Sequence, residues 1–274
     1  MKNLLFLFLT IFMMSCSDKS TNINFEKIAL IYNGVGVSPT EDNYLGNGYC
    51  WDSIAKSAGY KTIFITEKDS QTVTQYFSKD AIWVQPGGDA TEVVKYMPKT
   101  LVKNIIQFVS KGGGYVGSCA GAFLAGTKFS YRDTTGILYT FDGWGFIPDT
   151  VFVDPNLQDT SVYGKYNTYL STKWQNRGDL DIYWWFGAVL STKNLPLNRT
   201  NIISTYTIGN QQRILTINTF YNKGPVYITG AHPEADISWY REFINPPSHK
   251  INIVPTHEAA KDMLIWAFEN NAYQ

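Results

Sequence analysis

Cysteine is scarce in this sequence, three in 274 residues, so a disulfide scaffold is excluded and the fold must rest on its core. Histidine is equally scarce, at 232, 249 and 257, and no His or Cys pair falls at metal-ligand spacing, so no metal is expected. Excess charge is missing too. Lys plus Arg number 23 and Asp plus Glu 23, which leaves no positive field to neutralise several phosphates at once. No nucleic-acid partner is expected. The one long apolar run, Leu4–Met14, has eleven residues against the roughly 20 that span a bilayer. Gly34 and Gly36 follow an early apolar run, but the third glycine of a dinucleotide fingerprint is missing at the required offset. Neither a nucleotide nor any other cofactor is expected. What is abundant is core material: 44% hydrophobic and 15% aromatic residues exclude whole-chain disorder.

The apolar run sits behind Lys2 and ends in Met13-Met14-Ser15-Cys16, the order of charged region, short apolar region and small residue that export signals have. It resembles a bacterial lipoprotein signal, which implies removal of residues 1–15, lipidation of Cys16, a tether over 16–24 and a place in the bacterial cell envelope, held to the membrane by that lipid. Removing the leader takes away one Lys and leaves 22 basic against 23 acidic residues, so the domain stays nearly neutral. Export leaves Cys50 and Cys119 in an oxidising compartment. At most one bridge between them is allowed, and spacing does not decide whether it forms. ATP is absent outside the cytoplasm, which argues against chemistry that needs an ATP-driven partner.

The domain, over 25–274, alternates short buried strands with helices. Lys27–Asn33, Tyr60–Thr66 and Ala81–Gln85 read as strands, and Tyr115–Gly117 as the last residues of a fourth. Helical spacing around Cys50–Ala58 stops at Gly59, and a second helix is expected over Met97–Val109. This pattern indicates a parallel α/β sheet. From about 127 to 219 the texture changes to Tyr, Trp, Thr, Asn and Gly with β-like runs, an expected antiparallel elaboration. Trp144, Trp174, Trp184 and Trp185 there can form a stacking wall for a peptide or sugar; the better reading is that they are its core. Pro225–Gly230 returns to an apolar strand. His257–Asn270 closes the chain as an amphipathic helix with Thr256 as its N-cap.

The chemistry concentrates in Gly112–Phe123, GGGYVGSCAGAF, which sets Cys119 among small residues at a strand-to-helix turn. A nucleophile at such an elbow has a strained backbone, and close chains leave no room for side chains larger than those of Gly117, Ser118, Ala120 and Gly121. The following helix would point its amides at the sulfur, lowering its pKa and offering bonds to an oxyanion. The alternative is an inert cysteine packed in a Gly-rich turn. A thiol needs a base. His249 lies in a polar loop and His257 at a helix end, whereas His232 follows an apolar strand with Glu234 two residues on, able to orient the ring. A turn histidine beside a solvated Glu is the alternative. Val84-Gln85-Pro86-Gly87-Gly88-Asp89 runs a strand into a glycine pair, and amides of Gly87 and Gly88 can complete an oxyanion hole with that of Ala120.

Together, Pro86-Gly87-Gly88, Gly117-Ser118-Cys119-Ala120-Gly121 and His232-Pro233-Glu234 resemble, in order, the motifs of the class I glutamine amidotransferase-like superfamily. Within it the chain is most similar to the biotin-protein ligase N-terminal domain family, through Ile31–Ser38, the elbow run and Gly230–Glu234, over most of residues 25–245. The resemblance implies a flavodoxin-like sheet with a Cys119, His232, Glu234 triad at its carboxyl edge. It does not imply biotin ligation, which in ligase members lies in a separate domain with a glycine- and arginine-rich adenylate loop that this sequence lacks. Nor is a synthetase domain fused to receive ammonia. The expectation is a lipid-anchored cysteine hydrolase that cuts a C–N bond of a small molecule or peptide. The alternative is a binding module on an amidotransferase-like scaffold, and a weaker third reading is redox control through a Cys50–Cys119 bridge.

Overall fold

The computed structural model describes residues 26–41, 44–132, 136–153, 167–242 and 251–274. The expected leader and tether, Cys16 and His249 lie outside them.

Five parallel strands build the centre. These are β1 (Ile28–Tyr32), β2 (Lys61–Ile65), β3 (Ala81–Gln85), β4 (Gly114–Ser118) and, far along the chain, β13 (Gly224–Thr229). They lie in the order β2-β1-β3-β4-β13. Counted among themselves this is 2-1-3-4-5, the flavodoxin-like order, which reverses direction beside β1 and opens a crevice at the carboxyl ends of its strands. Residues of β3, β4 and β13 are buried throughout, as strands covered on both faces require.

The β-rich elaboration divides in two. β12 (Gln211–Tyr221), β11 (Asn201–Ile208), β8 (Asn167–Trp174) and β9 (Gly178–Trp185) add antiparallel strands to the free side of β13 and bring the main sheet to nine. β5 (Gly126–Arg132), β6 (Leu138–Asp142), β7 (Ile147–Val153) and β10 (Ala188–Val189) form a separate sheet in the order β10-β7-β5-β6. The expected antiparallel character holds except between β5 and β7, which pair in parallel. Trp144, Trp174 and Trp184 are core residues, as expected; Trp185 is 40% exposed.

Helix α1 (Asn47–Ser57) starts three residues before the expected Cys50 and ends ahead of Gly59, which takes φ +82. The helix expected over Met97–Val109 is α3 (Lys99–Ser110), and a further short helix that was not expected, α2 (Ala90–Tyr96), precedes it. Pro98 separates the two: it drives Met97 into an extended conformation, ψ 125, and ends α2 there. α2 has its own start signal, since the Asp89 carboxylate accepts from the amides of Thr91 and Glu92. α4 (Ala120–Ala125) follows the elbow, and α5 (Val254–Glu269) closes the domain. Thr256 is not the N-cap of α5. Pro255 suits the first turn of a helix and carries the start upstream to Ile253, so the Thr256 hydroxyl lies inside and donates to the Ile253 carbonyl at 2.8 Å. The apolar stripe of α5 is as expected, with Ala260, Met263, Leu264 and Ala267 buried.

Candidate active site

The segments after β3, β4 and β13 meet at the carboxyl edge, and with them the residues singled out in the sequence. Cys119 has φ 47 and ψ −104, an unfavourable backbone for a residue with a Cβ, held by its amide bond to the Thr229 carbonyl at 2.9 Å. Its own carbonyl accepts from Ala122 and Phe123 and so begins α4. The crowding inferred for the elbow is present: a Cβ on Gly121 would stand 2.2 Å from the Gln85 carbonyl oxygen. Cys119 is 5% exposed, and its Sγ lies 3.6 Å from the Trp185 carbonyl oxygen.

His232 is 3% exposed and Glu234 1%. The His232 amide bonds the Tyr183 carbonyl at 2.9 Å, which ties the loop after β13 to β9. The ring sits edge-on to Tyr183 and Trp239, centroids 5.7 and 5.2 Å away. Nδ1 donates to Glu234 Oε1 at 3.0 Å, and Cys119 lies close enough to act on the ring electrostatically. Burial disfavours an imidazolium here. The negative charge available on Cys119 and on Glu234 outweighs it and lifts the imidazole from 6.5 to about 10.

Gly87 is where the ring needs space, because a Cβ there would lie 2.3 Å from His232 Cε1. Gly88, at φ +135, bridges Val37 in the loop after β1 and lines the cavity, and Ala120 is the first residue of α4 beside the sulfur.

Three polar partners were not recognised in the sequence. The Trp51 indole N–H donates to Ser118 Oγ at 3.0 Å, and the Ser118 hydroxyl donates to Glu234 Oε1 at 2.8 Å. An indole only donates, so the direction of this relay is fixed and Glu234 must accept at its end. Ser118 sits inside the elbow motif, where its small size hid its polarity. Asn47 Nδ2 lies 3.4 Å from His232 Nδ1. Asn47 and Trp51 occupy one face of α1 in successive turns, a spacing with no signature of its own.

Cys50 and Cys119 are both free. Cys50 Sγ donates to the Leu45 carbonyl at 3.5 Å, and burial, with the nearby Glu234 charge, pushes its thiol well above the ordinary range. His257 stands in the first turn of α5, its Nε2 3.0 Å from the Ala235 carbonyl oxygen. Among the described residues no group of three or more His, Cys, Asp or Glu can hold a metal ion, and no helix is long and apolar enough to cross a membrane.

A cavity of about 440 Å³ opens onto Cys119 and His232. Asn47, Gly88 and Asp89 line it on the side of the parallel sheet, and Phe129 and Tyr131 of β5 on the other.

The model of the family described as "Biotin-protein ligase, N terminal" matches residues 28–138. The match runs from β1 to the start of β6, so it includes the glycine turn and the elbow and stops before His232. No curated protein matches the chain. Among solved structures, PurLQS from Thermotoga maritima superposes with a TM-score of 0.51 at 10% identity over 88% of this chain and 99% of that one. A structure described as glutamine amidotransferase gives 0.49 at 13% identity, over 78% and 97%. A putative GMP synthase component from Thermoplasma acidophilum gives 0.49 at 12%, over 89% and 96%. Identities this low speak for the fold alone. Residues 28–138 thus carry the pattern of the biotin-protein ligase N-terminal family, and the chain shares its fold with PurLQS.

Proposed function

We propose that the protein is a cysteine hydrolase cutting a C–N bond, with Cys119 as nucleophile, His232 as acid and base, and Glu234 orienting His232. The observation that carries this reading is the buried His232 ring, hydrogen-bonded to Glu234 and close enough to Cys119 for the two to interact, beside an open cavity that both line. The thiolate attacks the amide carbonyl, and the carbonyl π pair moves onto oxygen, held by the amides of Gly88 and Ala120. Collapse expels the amine, which takes the proton from His232 and leaves a thioester on Cys119. His232 then removes a proton from water, whose oxygen attacks the thioester, and returns that proton to the departing sulfur. Gly87 serves by leaving room for the ring.

The reading includes export and a lipid on Cys16, supported by the order of residues 1–16. Metabolic labelling with an alkyne-bearing fatty acid tests that part: label should be present in the native protein and absent from Cys16→Ser.

The catalytic part is tested by alkylating the purified protein with 2-chloroacetamide at neutral pH and locating the adduct by peptide mass mapping. Rapid reaction at Cys119, about a hundredfold slower in His232→Ala, is the expected result. Equal rates in the two proteins would sink the hydrolase and leave a binding module on the same scaffold.

A further inference from the structure

From the character of the cavity walls we infer that this site takes an uncharged amide carrying an aromatic or similarly large apolar group close to its carbonyl, and not free glutamine. The inference rests on the hydrolase reading for its chemistry and on the cavity alone for its selectivity.

Apart from Cys119, His232 and Asp89, the polar side chains lining the cavity are the uncharged Ser38, Tyr44, Asn47, Thr91 and Ser130, and most of the wall is apolar, from Phe123, Phe129, Tyr131, Val153, Trp185 and Phe186. The second sheet supplies three of these, from β5 and β7. Two of them are braced from the side: Phe141, opposite Phe129 on β6, stacks on Phe129 at 5.2 Å and 17°, and on Tyr131 at 6.2 Å and 5°. The wall begins next to the reacting atom, since the Trp185 carbonyl is 3.6 Å from Cys119 Sγ. An apolar group must then be joined within a few bonds of the carbonyl under attack.

Charge decides against free glutamine. Its α-carboxylate needs a cation, and among the described residues lining the cavity there is neither Lys nor Arg. The one carboxylate in the wall, Asp89, is engaged as the cap of α2, accepting from the Thr91 amide and hydroxyl at 2.8 and 2.6 Å. A free amino acid would bury its carboxylate uncompensated, whereas a neutral aromatic amide buries only surface that gains from leaving water.

The test compares three electrophiles that share one reactive group: N-benzyl-2-chloroacetamide, 2-chloroacetamide and N-chloroacetylglycine. Alkylation of Cys119 should fall in that order, with the benzyl compound at least about tenfold faster than the carboxylate, as burial of a phenyl ring predicts. In Trp185→Ala the ratio of benzyl to unsubstituted rate should drop. N-Chloroacetylglycine reacting as fast as the benzyl compound would overturn the inference. Binding of N-benzylacetamide and of N-acetylglycine to the Cys119→Ala protein, by calorimetry, separates the two layers. Preference for the benzyl ligand without alkylation of the native thiol supports the selectivity and removes the hydrolase; absence of that preference overturns the selectivity itself.

Discussion

The parallel half of the molecule and the second sheet contribute to the same cavity in different ways. The strands β3, β4 and β13 end in short segments where almost every atom is constrained: Gly121 against Gln85, Gly87 against the His232 ring, Cys119 in a backbone that few residues accept. The second sheet contributes ring faces, Ser130 and one Val side chain, while the hydrogen bonds of His232 and Glu234 among the described residues go to other elements. Chemistry needs positions fixed to fractions of an ångström, whereas an apolar wall needs area and shape, which many sequences supply. Residues of the first region should therefore govern rate, and residues of the second should govern which amide is accepted.

The sharpest break in that division would come from Gly87→Val. Its side chain would displace His232, and alkylation of Cys119 by 2-chloroacetamide should fall by about two orders of magnitude while the far-ultraviolet spectrum stays that of a folded chain. A fall of less than about threefold would mean that the ring does not work from this position. Truncating the wall should act on stability instead: Phe129→Ala, at a residue 2% exposed, should cost about 3–5 kcal/mol, read from urea unfolding. Ser118→Ala comes next. It removes one of two donors to Glu234 Oε1, and it should slow alkylation about tenfold and shift its pH profile, with Ser118→Thr recovering part of both.

The pH dependence carries its own sign. His232 is raised above its unfolded 6.5 to about 10, so its charged form adds stability below pH 6.5 and that stability is lost as pH rises through 10. The gap in unfolding midpoint between the native protein and His232→Gln should close between pH 6.5 and about 10; a constant gap would contradict the pairing. The smallest effect is expected far from the cavity. Arg177 holds Asp262 with two bonds of 2.5 and 2.7 Å between the β8–β9 turn and α5, yet both are partly exposed, so Asp262→Asn should cost less than about 1 kcal/mol and leave alkylation untouched.

The same contrast explains what the sequence made legible. Cys119, His232 and Glu234 stand where the elbow and the His-Pro-Glu run put them, because a tight turn, small neighbours and a reactive residue make a dense local pattern. The parallel strands were readable from short β-branched runs. The apolar periodicity of Met97–Val109 marked α3, whereas α2, seven residues long, is too short to show a period of its own. Phe129, Tyr131 and Trp185 carry no local mark of facing a cavity, since a ring in a strand looks alike whether it meets core or void. Trp51 meets Ser118 across 67 residues of sequence and Asn47 meets His232 across 185, and such pairings are made by the sheet, not by spacing.

The bond from the Cys119 amide to the Thr229 carbonyl adds one more rung beyond the β4–β13 pairing, which ends at Ser118 opposite Thr229. Cys119 is thus clipped to the strand that delivers His232 three residues later, and the two cannot part without breaking that rung. Deuterium uptake at this single amide is consequently a clock for how long Cys119, His232 and Glu234 stay together, readable without any substrate.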